Sequence, residues 1–455
     1  RGDTAPYTEL WLAERLAAAF CPIVPEFVFD VDLADWLAYD PIRGLWVHGS
    51  EHLALQKAAA VARVLFATAQ SEADAKLAIK FFQRRTLLAS LALAGADRRI
   101  ARRNAEFDAD SNLLHCANGV LALDRLTLRP HSAGYYLTRS TRTEFRPAAW
   151  RGSLFERVVA ESVPSTVHEW LQQTLGKALL GQPVDDVILH AIGPPGMGKS
   201  TTYEAISAAL GSYAGTIPRV LFTEGDRAAS EALEKLRGLR LAIAAELPTA
   251  NRPAIAVLKA VAGGDLLTSR QLYARRGQDW RASCLVVVYA NSVPNYRGDE
   301  GLRRRVRAVR YERAPANPDP AIRPRLQNDP DERAATLSWL VEGLASARAS
   351  QLPTPPEVTA YSSEVMDSAD PLSEILGVFC EITGESDDCI SHRQLGEYFE
   401  RWQNDNRISE RERISRRGLL SALRARTGVR EYRTGKERGL QGVRLCNHQD
   451  MYGSS

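Results

Sequence analysis

The stretch Gly193-Pro194-Pro195-Gly196-Met197-Gly198-Lys199-Ser200-Thr201 decides the architecture of this chain. It fits the pattern G-x-x-x-x-G-K-[ST], a loop whose backbone N–H groups wrap nucleotide phosphates. The lysine of such a loop reaches the terminal phosphates and the hydroxyl residue meets Mg²⁺. Pro194 and Pro195 carry no N–H, so the cradle runs from Gly196 through Ser200. The flanks agree. Val187-Ile-Leu-His-Ala-Ile192 is a short apolar run suited to a buried strand, and Ser200 to Leu210, closed by Gly211, predicts a helix with Ala205, Ile206, Ala209 and Leu210 on one face. Strand, glycine loop and helix in this order bring an anion to a helix N-terminus, where unpaired N–H groups and the macrodipole favour negative charge. The segment predicts an α/β fold and a nucleoside triphosphate site.

Segments downstream of the loop narrow the chemistry. Leu239–Glu246 is an apolar run ending in a carboxylate, placed to polarise water and support Mg²⁺ beside Ser200. Leu285–Asn291 is a second, ending in an amide that can orient the attacking water. Gly301-Leu-Arg-Arg-Arg-Val-Arg307 comes soon after, and Arg304 or Arg305 there suits a finger reaching a neighbouring subunit's nucleotide. Between the two strands, Val257–Asp265 predicts a helix bearing Lys259, a candidate DNA contact together with Arg270 further on, and a Gly-Gly turn. Leu266–Tyr273, with Arg270, and Asp279–Ser283 predict two strands around a basic tip at Arg275, Arg276 and Gly277. Such a hairpin makes sense if it projects into a ring's channel and holds a phosphate backbone. Taken singly, a strand-end carboxylate is more often a cap, an arginine cluster a solvated face, and a basic hairpin a surface feature. Their order behind a glycine loop points to an ATPase.

The chain has 455 residues, 45% hydrophobic and 25% charged, which fits a globular protein of about three domains. Six cysteines lie far apart with no C-x-x-C spacing, which suggests a reducing, cytoplasmic setting and neither a disulfide framework nor a zinc site. No apolar run approaches membrane-spanning length. The net charge of +3 is silent on nucleic acid, and eight lysines against fifty arginines fit a GC-rich genome as well as phosphate contacts.

Four segments are expected. Residues 1–150 predict a mostly helical N-terminal domain with a strand-rich end: helices over Glu9–Phe20, His52–Ala69 and Asp74–Leu93, short strands at Phe27–Asp30 and Gly44–His48, and strands around the Asn118-Gly119 turn. Residues 151–315 hold the nucleotide-binding core. Residues 316–369 predict a helical lid or linker, one helix over Asp331–Ala347 bracketed by the proline-rich, polar stretches Ala314–Arg325 and Gln351–Glu364. Residues 370–455 predict a small separate domain. There, Arg393 to Arg444 holds fourteen basic and seven acidic residues. Leu395–Asn404 predicts a helix, Ser415 opens a second that leaves Arg416, Arg417 and Arg424 for solvent or phosphate, and Val429–Tyr432 and Val443–Leu445 predict two strands around a basic loop. Helix, helix and a two-stranded wing describe a winged-helix DNA-binding unit, with protein contacts as the alternative use.

Lys199, Glu246, the Lys259…Gly263-Gly264-Asp265 block, Asn291 and the Arg304-Arg305 pair resemble the successive motifs of superfamily 3 helicases, more narrowly the poxvirus-type primase-helicases of phages, plasmids and mobile islands. Asn118-Gly-Val-Leu-Ala-Leu123 and Leu128-Arg-Pro-His131 are similar to a segment of that family's N-terminal helicase-associated domain. Two departures stand out. Met197 occupies a position where the family usually has Asn, and Ala245 precedes Glu246, so the acidic pair common in other ATPases is a single Glu. The resemblance implies an AAA+-like ATPase using ATP and Mg²⁺, assembled as a ring, usually a hexamer, and translocating 3′ to 5′ on single-stranded or forked DNA in a bacterial cytoplasm. Gly193, Gly196–Thr201, Glu246 and Asn291 would come from one subunit and Arg304 or Arg305 from the next. A different reading is an origin-binding initiator whose ATP cycle controls assembly with little unwinding. A primase needs clustered catalytic carboxylates, and residues 1–150 show no convincing cluster; if a longer protein has a primase or polymerase domain, it is expected upstream of Arg1.

Overall fold

The computed structural model describes residues 6–218, 221, 232–245, 255–269, 278–291, 299–314, 318–368, 380–405, 413–424, 428–433 and 437–445. The N-terminal part builds α1 (Glu9–Phe20), β1 (Phe27–Asp30), β2 (Asp35–Asp40), β3 (Leu45–Val47), α2 (Glu51–Ala67), α3 (Glu72–Ala78), α4 (Arg84–Ala94) and β4 (Ala101–Arg102). Thr8 caps α1 by accepting from the Trp11 N–H at 3.2 Å. The strands form a sheet in the order β3-β2-β1-β4. Trp36, Leu37 and Ala38 of β2 are all buried, so the strand has no alternation and sequence patterning passes over it. The single helix expected over Asp74–Leu93 is two, joined by a 3₁₀ turn at Ile79–Phe82. Phe81 in that turn stacks on Tyr7 and Trp11, a contact that one straight helix would not make.

A meander of β5 (Leu113–Cys116), β6 (Gly119–Ala122) and β7 (Thr127–Arg129) comes next. The central body then runs α5 (Leu154–Ser162), α6 (Ser165–Lys177), β8 (Ile188–Ile192), α7 (Lys199–Leu210), β9 (Ala214–Thr216), β10 (Leu241–Ala245), α8 (Ile255–Gly263), β11 (Leu266–Ser269), β12 (Gln278–Arg281), β13 (Leu285–Ala290), α9 (Glu300–Arg303), β14 (Val306–Arg310), α10 (Ile322–Asn328), α11 (Pro330–Ala349) and α12 (Pro356–Ser368). Five strands pair in parallel in the order β14-β8-β13-β10-β9. Both faces are covered, so successive side chains serve two cores. Leu189, Ala191, Leu285 and Val287 join α5, α6, α7 and α11. Ile188, Val286 and Val288 join Leu258 and Val261 of α8.

The first of these cores ignores the expected boundaries at 150 and 315, since it runs from Leu114 through Leu337 and Leu344 to Val358. Buried Arg240 fixes the meander to it, donating to the Leu113 carbonyl at 2.6 Å and to the Leu179 carbonyl, its guanidinium over the Tyr213 ring. The polar stretches expected to be linkers hold helices. Residues 314–325 lead into α10, and residues 351–364 include most of α12, which covers the edge of β14: Ser362 Oγ accepts from the Ala308 N–H at 2.8 Å. Helix α11 is buried on nearly all its faces, Thr336, Ser338 and Trp339 included.

The C-terminal part comprises β15 (Cys380–Ile382), β16 (Cys389–Ser391), α13 (His392–Asp405), α14 (Arg416–Arg424), β17 (Arg430–Arg433), β18 (Arg438–Gln441) and β19 (Val443–Leu445). The basic loop expected between two strands itself contains β18, which pairs with β16 and β17, whereas β19 pairs with β15. Leu440, fully buried among Ile390, Leu395 and Leu423, holds β18 in place, one apolar side chain in a run too polar to read as a strand. Among the described residues no helix is long and apolar enough to cross a membrane.

Candidate functional site

Strand β8 ends at Ile192 and α7 begins at Lys199, so the glycine loop spans the gap between the end of a central parallel strand and a helix N-terminus. Its glycines meet different demands. A Cβ on Gly193 would stand 1.8 Å from the Tyr311 carbonyl oxygen. Gly196 and Gly198 both have φ +83°, and a Cβ on Gly198 would meet Ser162 Oγ at 2.1 Å, whereas nothing lies within 4 Å of one on Gly196. The loop is packed from behind at its ends and open at its centre. Met197 packs against the large core, so at this position the chain has an apolar anchor where the resembled family has an amide.

The open side faces a cavity of about 670 Å³, lined by Gly196 through Thr201, by Glu161 and Ser162 of α5, by Tyr289, Ala290 and Asn291 at the end of β13, and by Pro318 through Pro320, Ile322 and Arg323. That volume suits a nucleotide-sized ligand. Lys199 is buried, and its ammonium donates to the carbonyls of Gly193 at 2.5 Å and Pro194 at 2.6 Å. A buried ammonium needs such partners; a phosphate oxygen would compete with them for the same donors. Beneath the loop, burial lowers His190 of β8 to about 3, so the strand carries no charge there near neutrality. Tyr203 of α7 stacks on Tyr289 and its hydroxyl lies 3.3 Å from that of Tyr311, whose phenol burial raises to about 12. These rings fix α7 against β13 and the end of β14.

The expected site residues do not all gather here. Gly196, Met197, Gly198, Lys199, Ser200, Thr201 and Asn291 do, while Gly193 stands behind the cavity wall, packed on Tyr311. Glu246 lies outside the described residues; β10 ends one residue earlier, at Ala245, paired with Tyr289 of β13. Arg304 and Arg305 sit at the opposite end of the sheet. The Arg305 carbonyl accepts from the N–H of Ile188, the first residue of β8, roughly 13 Å from its last at about 3.3 Å per residue. The two arginines also differ from each other. Arg305 has an 11% exposed side chain, donates to the Gly301 carbonyl at 3.0 Å and faces Asp186 at 3.7 Å. Arg304 is exposed.

Lys259 does not stand free for a ligand. It pairs with Asp299 at 3.1 Å, and Asp299 also caps α9 through the Leu302 N–H. Arg270, Arg275 and Arg276 lie outside the described residues. The strands that flank them, β11 and β12, pair antiparallel with Ser269 opposite Gln278, locked by Trp280 Nε1 donating to Ser269 Oγ at 2.7 Å. On α14, Leu419 and Leu423 are buried and Arg416, Arg417 and Arg424 exposed. Arg416 donates to the His392 carbonyl at 2.6 Å and Arg424 pairs with Glu431.

Sequence reasoning missed Arg323, Tyr289 and Glu161 on the cavity wall. For Arg323 a signal existed: Pro324 occupies the first turn of α10, where a missing N–H costs nothing, so the polar stretch around it can open a helix.

Residues 13–176 match the family described as D5 N terminal like. That match contains Asn118–Leu123 and Leu128–His131 and, like the core, passes the expected boundary at 150. No curated protein matches the sequence. In fold, the chain is similar to "The apo structure of NrS-1 C terminal region (305-718)", with a TM-score of 0.53 over 96% of this chain and 99% of that one at 9% identity. Two A-form apo structures of the same region each give a TM-score of 0.52 over 96% of this chain and 99% or 100% of theirs, at 8% and 9% identity. At such identity the likeness is one of fold, and it extends over nearly the whole chain.

Proposed function

We propose that this chain is an ATP-dependent DNA helicase or translocase of a phage, plasmid or mobile island, acting in replication as a ring, a hexamer in the resembled family, in the bacterial cytoplasm. One observation carries the reading. A single cavity gathers the glycine loop at the start of α7 and Asn291 at the end of the neighbouring strand, in a parallel sheet where β13 lies between β8 and β10. That order supports an AAA+-like reading, in which the carboxylate-bearing strand stands one removed from the loop strand. ATP would lie with its phosphates on the N–H groups of Gly196 to Ser200, Lys199 on the terminal groups, and Ser200 and Glu246 holding Mg²⁺, which supplies charge neutralisation at the transferring phosphoryl group. Asn291 would orient the attacking water, and Arg304 of one subunit would reach the nucleotide of the next. The segment between β11 and β12, with Arg270, Arg275 and Arg276, would grip single-stranded DNA, and the C-terminal unit, a winged helix in this reading, would bind duplex through α14.

The test is Mg²⁺-dependent ATP turnover with and without single-stranded DNA, together with strand displacement on a forked duplex. Lys199→Ala should lower turnover at least about a hundredfold. Removing charge at Arg275 and Arg276 should abolish displacement. Turnover indifferent to Lys199, or full displacement by the hairpin variant, would overturn the proposal.

A further inference from the structure

The cavity beside the glycine loop has a second cation on its wall, Arg323, the second residue of α10. Its guanidinium is bound to Glu204 of α7, donating through Nη2 at 2.5 Å and Nε at 2.7 Å. Glu204 lies one helical turn beyond Ser200, on the same face of α7. It also accepts from Gln327 Nε2 at 2.7 Å and from the Tyr289 hydroxyl at 3.3 Å. One carboxylate therefore ties α10 and β13 to the helix that carries the loop.

We propose that Arg323 is a ligand of the nucleotide's outermost phosphate, supplied by the same chain and held in reserve on Glu204. This rests on the nucleotide reading of the cavity. Three observations support it. Among the described lining residues the cations are Lys199 and Arg323 alone, so a polyanion has one further partner to recruit. Arg323 is 52% exposed and can leave its partner, unlike fully packed Arg240. The two-pronged grip on Glu204 is the geometry with which a guanidinium takes a phosphate, so the exchange needs no new donor arrangement. Gln327 and Tyr289 stay on Glu204 when Arg323 departs, so the carboxylate is not left bare. A diphosphate seated on the loop offers one phosphoryl group fewer to a cation outside the cradle. Arg323 therefore separates triphosphate from diphosphate by a swing of its side chain, while Gln327 keeps α10 anchored to Glu204.

The experiment measures affinity of the full chain for Mg²⁺-ADP and for a non-hydrolysable Mg²⁺-ATP analogue in wild type, Arg323→Gln, Arg323→Lys, Glu204→Gln and Lys199→Ala, with a thermal melt of each. Arg323→Gln should weaken the analogue by about tenfold or more, the usual worth of a hydrogen bond to a charged group, and ADP by less than about twofold. Arg323→Lys should recover part of the loss, and Glu204→Gln should tighten the analogue because the arginine no longer leaves a carboxylate. Equal effects on both nucleotides, whether none or a shared loss with a lower melting temperature, would make Arg323 a brace of α10 and overturn the proposal. So would a Glu204→Gln variant that binds the analogue more weakly. A wild-type chain that binds neither nucleotide sinks the nucleotide reading itself. Binding that Lys199→Ala abolishes and Arg323→Gln leaves untouched sinks only the role of Arg323.

Discussion

At its last residue β8 opens into a loop whose chemistry is carried by backbone: glycines, N–H groups and the start of α7. At its first residue it meets Arg305, whose carbonyl it bonds, and, one position earlier, Arg304, and there the charge is carried by side chains. The loop end has its own cavity and its own neighbouring strand, all from one chain. The arginine end has one guanidinium turned inward onto Gly301 and Asp186 and one turned outward. A cradle made of backbone is complete in isolation; an exposed arginine is completed by whatever it touches. In the proposed shared site, Arg304 and Arg305 divide the labour that their adjacency in sequence leaves unassigned.

The sharpest way to break that contrast is to separate the two arginines. Arg304→Ala should lower ATP turnover by about a thousandfold with an unchanged melt, the scale of a transition-state arginine. Arg305→Ala should act through stability, by about 2 kcal/mol, since it deletes a donor to Gly301 and a partner of Asp186. Mixing Arg304→Ala with Lys199→Ala subunits should restore part of the turnover, because some junctions then pair an intact loop with an intact arginine. Turnover untouched in Arg304→Ala, or no recovery on mixing, would end the shared-site picture.

The other end of the strand is sharpened by its glycines. Gly193→Ala drives a Cβ into the buried Tyr311 carbonyl, which as backbone cannot rotate aside, and should cost about 3 kcal/mol in urea unfolding. Gly196→Ala meets open space and suffers only its positive φ, about 1 kcal/mol, while placing a methyl group at the cavity and weakening nucleotide binding. Equal stabilities for the two variants would contradict the division into a packed rim and an open centre.

The same division explains what the sequence makes legible. The strand–loop–helix at Ile188–Leu210, α1, β1 and the strands ending near Glu246 and Asn291 announce themselves through local patterns that burial enforces. Elements that depend on distant partners do not. The strand β2 is apolar on both faces, β18 is held by the single buried Leu440, and α12 looks like a linker because its role is to cover the edge of β14. Side-chain placement is harder still. Lys259 and Arg305 read as ligands-in-waiting until Asp299 and Asp186 are seen beside them, and Arg323 is invisible until α10 folds over the loop. Charge in sequence says which residues are available, and only packing says which are already spent.

Helix α14 extends the contrast to the C-terminal part and carries the smallest effect. Its arginines look equivalent in sequence, yet Arg416 is bound to the His392 carbonyl and Arg424 to Glu431, while Arg417 is exposed. A guanidinium already paired gains less from a phosphate than an unpaired one, because it exchanges one anion for another and releases fewer counterions in net. Duplex binding measured across a salt series should therefore lose about one unit of log-log slope in Arg417→Gln, and clearly less in Arg424→Gln. Glu431→Gln should steepen the slope by freeing Arg424. Equal slopes for the two arginine variants would mean that the Arg424–Glu431 pair dissolves on binding, and a slope unmoved by all three would take α14 away from DNA altogether.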